Sequence, residues 1–181
     1  MTDQYRSTRK EQLGERLFNY LVTHIPSHTI RQAFLRFFGV TIGRDASIMM
    51  GTTIFGLTRL TIGNNCSIGF DVLLDARGGL TIDDDVVLAS DVQIITGKHL
   101  IDSDDFDIEL RPVHIKHHAW IASRATVLQD VTIGVGGVVG ACSMVIADVD
   151  DMSVVAGIPA KPRTKRESAL SYHPKFRPLL Y

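Results

Sequence analysis

The chain has 181 residues, a hydrophobic fraction of 45% and a formal charge of −1. That is enough apolar material for one domain with a sizeable core, and it gives no electrostatic case for a nucleic-acid partner. No stretch offers the roughly 20 uninterrupted apolar residues of a membrane span, and Asp3, Glu11 and Glu15 interrupt the N-terminus in a way a secretory signal does not, so the cytoplasm is the expected compartment.

Residues 1–39 are expected to form a helical cap, read as two short helices broken at Pro26. Leu13, Leu17, Phe18, Leu21, Val22 and Ile25 make one apolar stripe, and Ile30, Phe34, Phe37 and Phe38 make another. Ser27 or Thr29 suits the cap of the second helix. Arg6, Arg9, Lys10, Arg16, Arg31 and Arg36 lend the segment a basic edge, which allows contact with a membrane surface. The preferred role is a plug over the open apolar end of the repeat region that begins near Ile42, because such an end has to be blunted.

From Ile42 an aliphatic residue recurs at every sixth position: Ile42, Ile48, Ile54; Ile62, Ile68, Leu74; Ile82, Leu88, Ile94; and, after a gap, Ile115, Ile121, Val127; Ile133, Val139, Val145. Four residues after most of them sits a small one, such as Ala46, Thr52, Cys66, Ala119 or Gly137. Six fits no 3.6-residue helix but divides evenly into the two-residue period of a strand. Such hexads predict an all-β solenoid, a parallel β-helix in which three hexads make one triangular coil, about five coils in all over residues 40–160. Coils stack at roughly 4.8 Å, so Cys66 on coil two and Cys142 on coil five are beyond disulfide reach within one subunit.

Residues flanking the register positions are expected to point outward. Face one is then wet (Thr41, Thr61, Thr81, Thr132), and face two is low apart from Trp120. Face three shows a column of large apolar residues, Phe55, Leu73, Ile95, Leu128, Met144 and Ile146. A column of that kind needs a cover, and a second copy around a threefold axis is the expected one.

One long excursion leaves the third coil after Thr96-Gly97-Lys98-His99 and runs from Leu100 to His114, with Asp102, Asp104, Asp105, Asp107 and Glu109 in it. Loops leaving one edge of a solenoid often carry its binding chemistry. The repeat ends in Val154-Val155-Ala156-Gly157-Ile158-Pro159-Ala160-Lys161, and residues 161–181 form a loose basic tail with Arg163, Lys165, Arg166, Lys175 and Arg177.

The hexads, Thr96-Gly97-Lys98-His99, Ala119-Trp120-Ile121-Ala122-Ser123, Val138-Val139-Gly140-Ala141 and the Ala-Gly-Ile-Pro-Ala-Lys ending together resemble the hexapeptide-repeat acetyltransferases, in particular the branch that O-acetylates sugars in exopolysaccharide synthesis of the colanic acid type. The resemblance covers nearly the whole chain. It implies a left-handed β-helix, a homotrimer, acetyl-CoA as cosubstrate, a small-molecule or glycan acceptor, and a catalytic histidine at His99. A sugar hydroxyl is a poor nucleophile at neutral pH and needs a general base, a task suited to imidazole with its ordinary pKa of about 6.5. Asp102 is the candidate to hold the other ring nitrogen, with a backbone carbonyl as the alternative. By position, Ser123 and Ala141 would line the pantetheine arm, Trp120 would border the acetyl end, and Lys161 and Arg163 would meet phosphates. Relatives acting on galactosides and maltose carry an asparagine near the place of Phe70 and Asp71, so their acceptor binding does not transfer.

Two other readings compete. Transfer to the amine of an aminosugar leaves the same residues in place. A zinc-dependent, carbonic-anhydrase-like solenoid would use His114, His117 and His118, but adjacent histidines on a strand-turn segment are expected to diverge, so no metal ligands are assigned.

Overall fold

A computed structural model describes residues 7–176; Asp3, Arg6 and Arg177 lie outside the described residues. Helix α1 (Arg9–Tyr20), a short 3₁₀ turn (Val22–His24) and helix α2 (His28–Phe37) lead into a parallel β-solenoid. Face one stacks Thr41–Ile42, Leu60–Ile62, Leu80–Ile82, Val113–Ile115 and Val131–Ile133. Face two stacks Ser47–Ile48, Ser67–Ile68, Val87–Leu88, Trp120–Ile121, Val138–Val139 and Ser153–Gly157, and face three runs from Thr53–Phe55 to Met144–Val145. The hexad register is the pairing register: Ile42 lies opposite Ile62, Ile62 opposite Ile82, and Ile82 opposite Ile115 across the long excursion. All fifteen register positions are buried, none more than 9% exposed, and they form one continuous core.

The corners explain why the repeat is six. The third residue after each register position of face two is left-handed: Gly51, Asp71, Asp91, Arg124 and Cys142 all have φ between 54° and 78°. Asp45, Asn65, Asp85, His118 and Gly136 do the same after face one. A single left-handed residue turns the chain by one corner, and Asn, Asp and Gly tolerate it best. His118 and Arg124 are therefore the unusual occupants of this series.

The solenoid has a sixth, partial coil that the hexads do not announce. Val149 bridges Ile133 and Val155 pairs with Val139, six residues apart as the register requires. Val149 comes only four positions after Val145, because the corner between them is cut short, so counting by six from Val145 misses the coil. The segment expected to be a loose tail also begins as structure: Ala160–Lys165 folds back antiparallel on Ser153–Gly157 and extends face two.

The helices cap the first coil chiefly through hydrogen bonds. Its backbone groups have no lower neighbour, and side chains from the cap take them up on all three faces. Arg36 donates to the Ile42 carbonyl; Gln32 and Arg31 donate to those of Ala46 and Ile48; Thr23 donates to Thr52. Asn19 both donates to the Ile54 carbonyl (3.0 Å) and accepts from its N–H (2.9 Å). Glu15 accepts from Gly56 N–H and Glu11 from Thr58 N–H. Polar saturation of an otherwise open strand edge is what such a plug must supply. Arg31 is fully buried, and burial pulls its guanidinium pKa down. The expected apolar stripes are met only in part: Phe18, Val22, Phe34 and Phe38 pack inward, joined by Leu35 from outside the stripes, whereas Leu13, Leu21, Ile30 and Phe37 are exposed. No helix among the described residues is long and apolar enough to cross a membrane.

Candidate active site

The excursion is a two-stranded hairpin. Gly97–His99 pairs antiparallel with Ile108–Leu110, so that His99 faces Ile108, and it stands out from the corner between faces three and one. A salt bridge ties its strands, Glu109 to Lys98 at 3.2 Å, and Glu109 also meets Arg111 on its own arm at 3.1 Å; the hydrogen bonds of Arg111 and then Lys98 hold the Glu109 carboxyl below its usual range. Backbone hydrogen bonds close the tip: Leu100 N–H donates to Asp107, Ser103 to Leu100, and Phe106 to Ser103. The Ser103 hydroxyl donates to Asp107.

That tip fixes the ring of His99. Its Nδ1 lies 2.9 Å from the carbonyl oxygen of Phe106, and the two rings stack with centroids 4.1 Å apart and planes within 11°. A carbonyl can only accept, so Nδ1 carries the proton and the neutral ring keeps Nε2 bare. Phe106 adopts φ 51°, a left-handed conformation, to aim its carbonyl there. The partner of Nδ1 is thus a backbone carbonyl. The Asp102 carboxylate is not in that role, because the tip folds so that Phe106 arrives first. Phe106 is the partner of His99 that the sequence does not announce; the one signal for it is an aromatic set among Asp104, Asp105 and Asp107.

The residues expected to bind the cosubstrate lie elsewhere on the prism. Trp120, 46% exposed, stands on face two between Val87 and Val138. Ser123 and Ala141 occupy successive levels of the corner between faces two and three, linked by the Cys142 N–H bond to the Ser123 carbonyl, and both are exposed. Lys161 and Arg163 are exposed on the returning strand at the far end of face two. Trp120, Ser123, Ala141, Lys161 and Arg163 therefore share one side of the molecule. His99 leaves from the opposite edge of face three, a face six residues wide, or roughly 15–20 Å. One chain does not bring the two sets together. Between them runs the apolar column of face three, with Phe55 and Ile146 exposed and Leu73, Ile95, Leu128 and Met144 half-buried.

The remaining histidines of the excursion's return and its following corner are paired within the chain. His114 Nε2 lies 3.0 Å from Asp83. His117 and His118 do not diverge as expected: their Nδ1 atoms are 3.1 Å apart, because the left-handed φ of 59° at His118 swings its side chain back toward its neighbour. Both cysteines are free; Cys66 is buried and burial raises its thiol pKa to about 12, while Cys142 is exposed.

Comparison with known proteins places the chain in company. It is 35% identical over 130 residues to an Escherichia coli protein named as a putative colanic acid biosynthesis acetyltransferase, a match spanning 72% of this chain and 71% of that one. Among solved structures, a maltose O-acetyltransferase from Clostridium difficile superposes with a TM-score of 0.77 at 26% identity, covering 87% of this chain and 85% of that one. A hexapeptide-repeat acetyltransferase from Vibrio cholerae, solved with acetyl coenzyme A, has the same fold, with a TM-score of 0.77 at 24% identity and coverage of 88% and 86%. No protein-family model matches the chain.

Proposed function

The chain belongs to the hexapeptide-repeat acetyltransferases, and from that premise we propose that it moves an acetyl group from acetyl-CoA to a sugar hydroxyl in the assembly of a polysaccharide. The observation that carries this reading is the His99–Phe106 contact, which commits Nδ1 to a proton and leaves Nε2 as a base. Nε2 takes the proton of the acceptor hydroxyl as its oxygen attacks the thioester carbonyl carbon. The tetrahedral oxyanion is steadied by N–H donors. The C–S bond then breaks, and the proton on Nε2 passes to the leaving thiolate.

The acceptor, the thioester and His99 have to meet, and this reading has them meet between two copies of the chain. Face three is the surface a second copy would cover, and a trimer about a threefold axis would set the His99 hairpin of one copy against Trp120, Ser123 and Ala141 of the next. The low side chains at Ser123 and Ala141 leave room for the pantetheine arm, and Lys161 and Arg163 offer cations to the phosphates.

The test is incubation with acetyl-labelled acetyl-CoA and a panel of sugars and aminosugars. Label in an alkali-labile ester of a sugar supports O-acetylation. Label in an alkali-stable amide would move the acceptor to an amine, and release of free acetate alone, with no acceptor labelled, would overturn the reading.

A further inference from the structure

A second cluster of ligand-type side chains lies away from His99, at the corner between faces one and two. Asp85 and His118 occupy the same left-handed corner position on successive coils, and both are buried, at 5% and 7% exposure. The C-terminal segment returns across this corner and lays His173 beside them: His173 Nδ1 lies 2.9 Å from Asp85 Oδ1, and His118 Nε2 lies 3.6 Å from Asp85 Oδ2. One ligand atom from each of Asp85, His118 and His173 falls within 4.8 Å of the others.

We propose that Asp85, His118 and His173 bind one divalent transition-metal ion, with zinc the best match, and that this ion fastens the C-terminal segment to the solenoid. Two imidazoles and one carboxylate, drawn from three distant points of the chain, are a donor set zinc accepts; to reach tetrahedral spacing of about 3.3 Å the His173–Asp85 separation would open slightly and the wider ones would close.

The surrounding groups favour ligation. Asn65 Nδ2 donates to Asp85 Oδ1 at 3.0 Å, which orients the carboxylate and leaves Oδ2 for an ion. His118 Nε2 donates to the Tyr172 carbonyl while its Nδ1 lies 3.1 Å from His117 Nδ1, so ligation of an ion by Nε2 would shift the proton to Nδ1, where His117 can accept it. Ligands held by such outer partners are the usual pattern at metal sites. Without an ion, Nε2 of His118 is instead 3.0 Å from the Tyr172 carbonyl, a backbone acceptor well placed to fill a fourth position. An open groove of about 520 Å³ along face one runs up to Asp85 and His118 and gives an ion a way in.

Arg166 and Leu170 already guide the tail to this place. Arg166 donates to the carbonyls of His118 and Gly136, and Leu170 reaches Gly136 so closely that a Cβ on that glycine would lie 2.9 Å from it. A metal bond would turn that guided segment into a fastened one.

The experiment uses tag-free full-length protein, stripped with chelator and re-equilibrated with zinc chloride. Elemental analysis is expected to give one zinc per chain, and zinc is expected to raise the melting temperature and slow protease cleavage beyond Arg166. His173→Ala, Asp85→Asn and His118→Asn should each weaken zinc binding at least tenfold; Asn suits the left-handed corner, as Asn65 shows two levels away, so loss in His118→Asn is not a loss of fold. His114→Ala should bind zinc as the parent does. Cobalt(II) should give the visible absorption of a tetrahedral site in the parent and lose it in His173→Ala. Failure of the folded parent to hold stoichiometric zinc, or equal zinc uptake by His173→Ala, would overturn the proposal.

Discussion

The imidazole of His99 and the backbone carbonyl of Phe106 are 2.9 Å apart, and their two rings lie face to face. One residue thus supplies both the acceptor that fixes the tautomer and the surface that fixes the ring plane. A backbone acceptor survives side-chain substitution, but its direction depends on the left-handed turn at Phe106 and on the stacked ring. Phe106→Ala should therefore lower kcat about tenfold, equivalent to about 1.4 kcal/mol of transition-state stabilisation, with KM for acetyl-CoA little changed. Its kcat–pH profile should shift, and Phe106→Tyr should restore most of the rate and the profile. Asp102→Asn should stay within about twofold of the parent, since its carboxylate does not hold Nδ1. Steady-state kinetics across pH checks both.

The separation of His99 from Ser123 and Ala141 within one chain leads to a mixing experiment. Ala141→Trp should block the pantetheine path and His99→Ala should remove the base, so each variant alone should lose nearly all activity. Co-refolded together, they should regain a measurable fraction of parental activity, because some interfaces then combine an intact hairpin with an intact corner. No recovery, in mixed oligomers verified by mass, would place the complete site within one chain.

The cap makes a stability prediction. Asn19 satisfies both the N–H and the carbonyl of Ile54 at the open edge of the first coil. Asn19→Ala leaves two backbone groups to find other partners and should cost about 2 kcal/mol in urea unfolding. Gln12→Ala, which removes an exposed side chain that donates to Ser7, should cost under about 0.5 kcal/mol.

Acid stability should depend on the stacked corners. The side-chain and backbone hydrogen bonds of Asn64 lower the Asp84 pKa from its ordinary 3.8. A depressed carboxylate pKa means the stabilisation is present above the unfolded value and is lost as pH falls through the folded one. Asp84→Asn should therefore reduce stability at pH 7 and narrow its gap to the parent below about pH 4. The pair is exposed and screened, so the gap should be at most about 1 kcal/mol. Chemical denaturation at several pH values reads it.

Much of the solenoid is legible because one requirement repeats: an aliphatic side chain at every sixth residue, from Ile42 to Val145, is core and pairing register at once. Features outside the repeat are harder to read. Val149 falls out of count because one corner is shortened. Glu11, Asn19 and Gln32 look like solvent-facing helix residues, yet they close the strand edge, a role set only when the helices dock. His117 and His118 look divergent under strand alternation and converge because one φ is positive. At the site, His99 is readable from its motif, whereas Phe106 depends on how the residues of a hairpin tip fold, and His173 depends on where a tail lands 88 residues away from Asp85.

The most direct test of the central claim is acceptor-dependent thiol release from acetyl-CoA by the parent and by His99→Ala, with the acceptor identified by the labelled panel and the variant's fold checked by its melting temperature. Removal of a general base should lower kcat by about 10²–10⁴-fold while acetyl-CoA still binds. A folded His99→Ala enzyme that transfers acetyl groups at the parental rate would contradict the account, because no proton would then be passing through that ring.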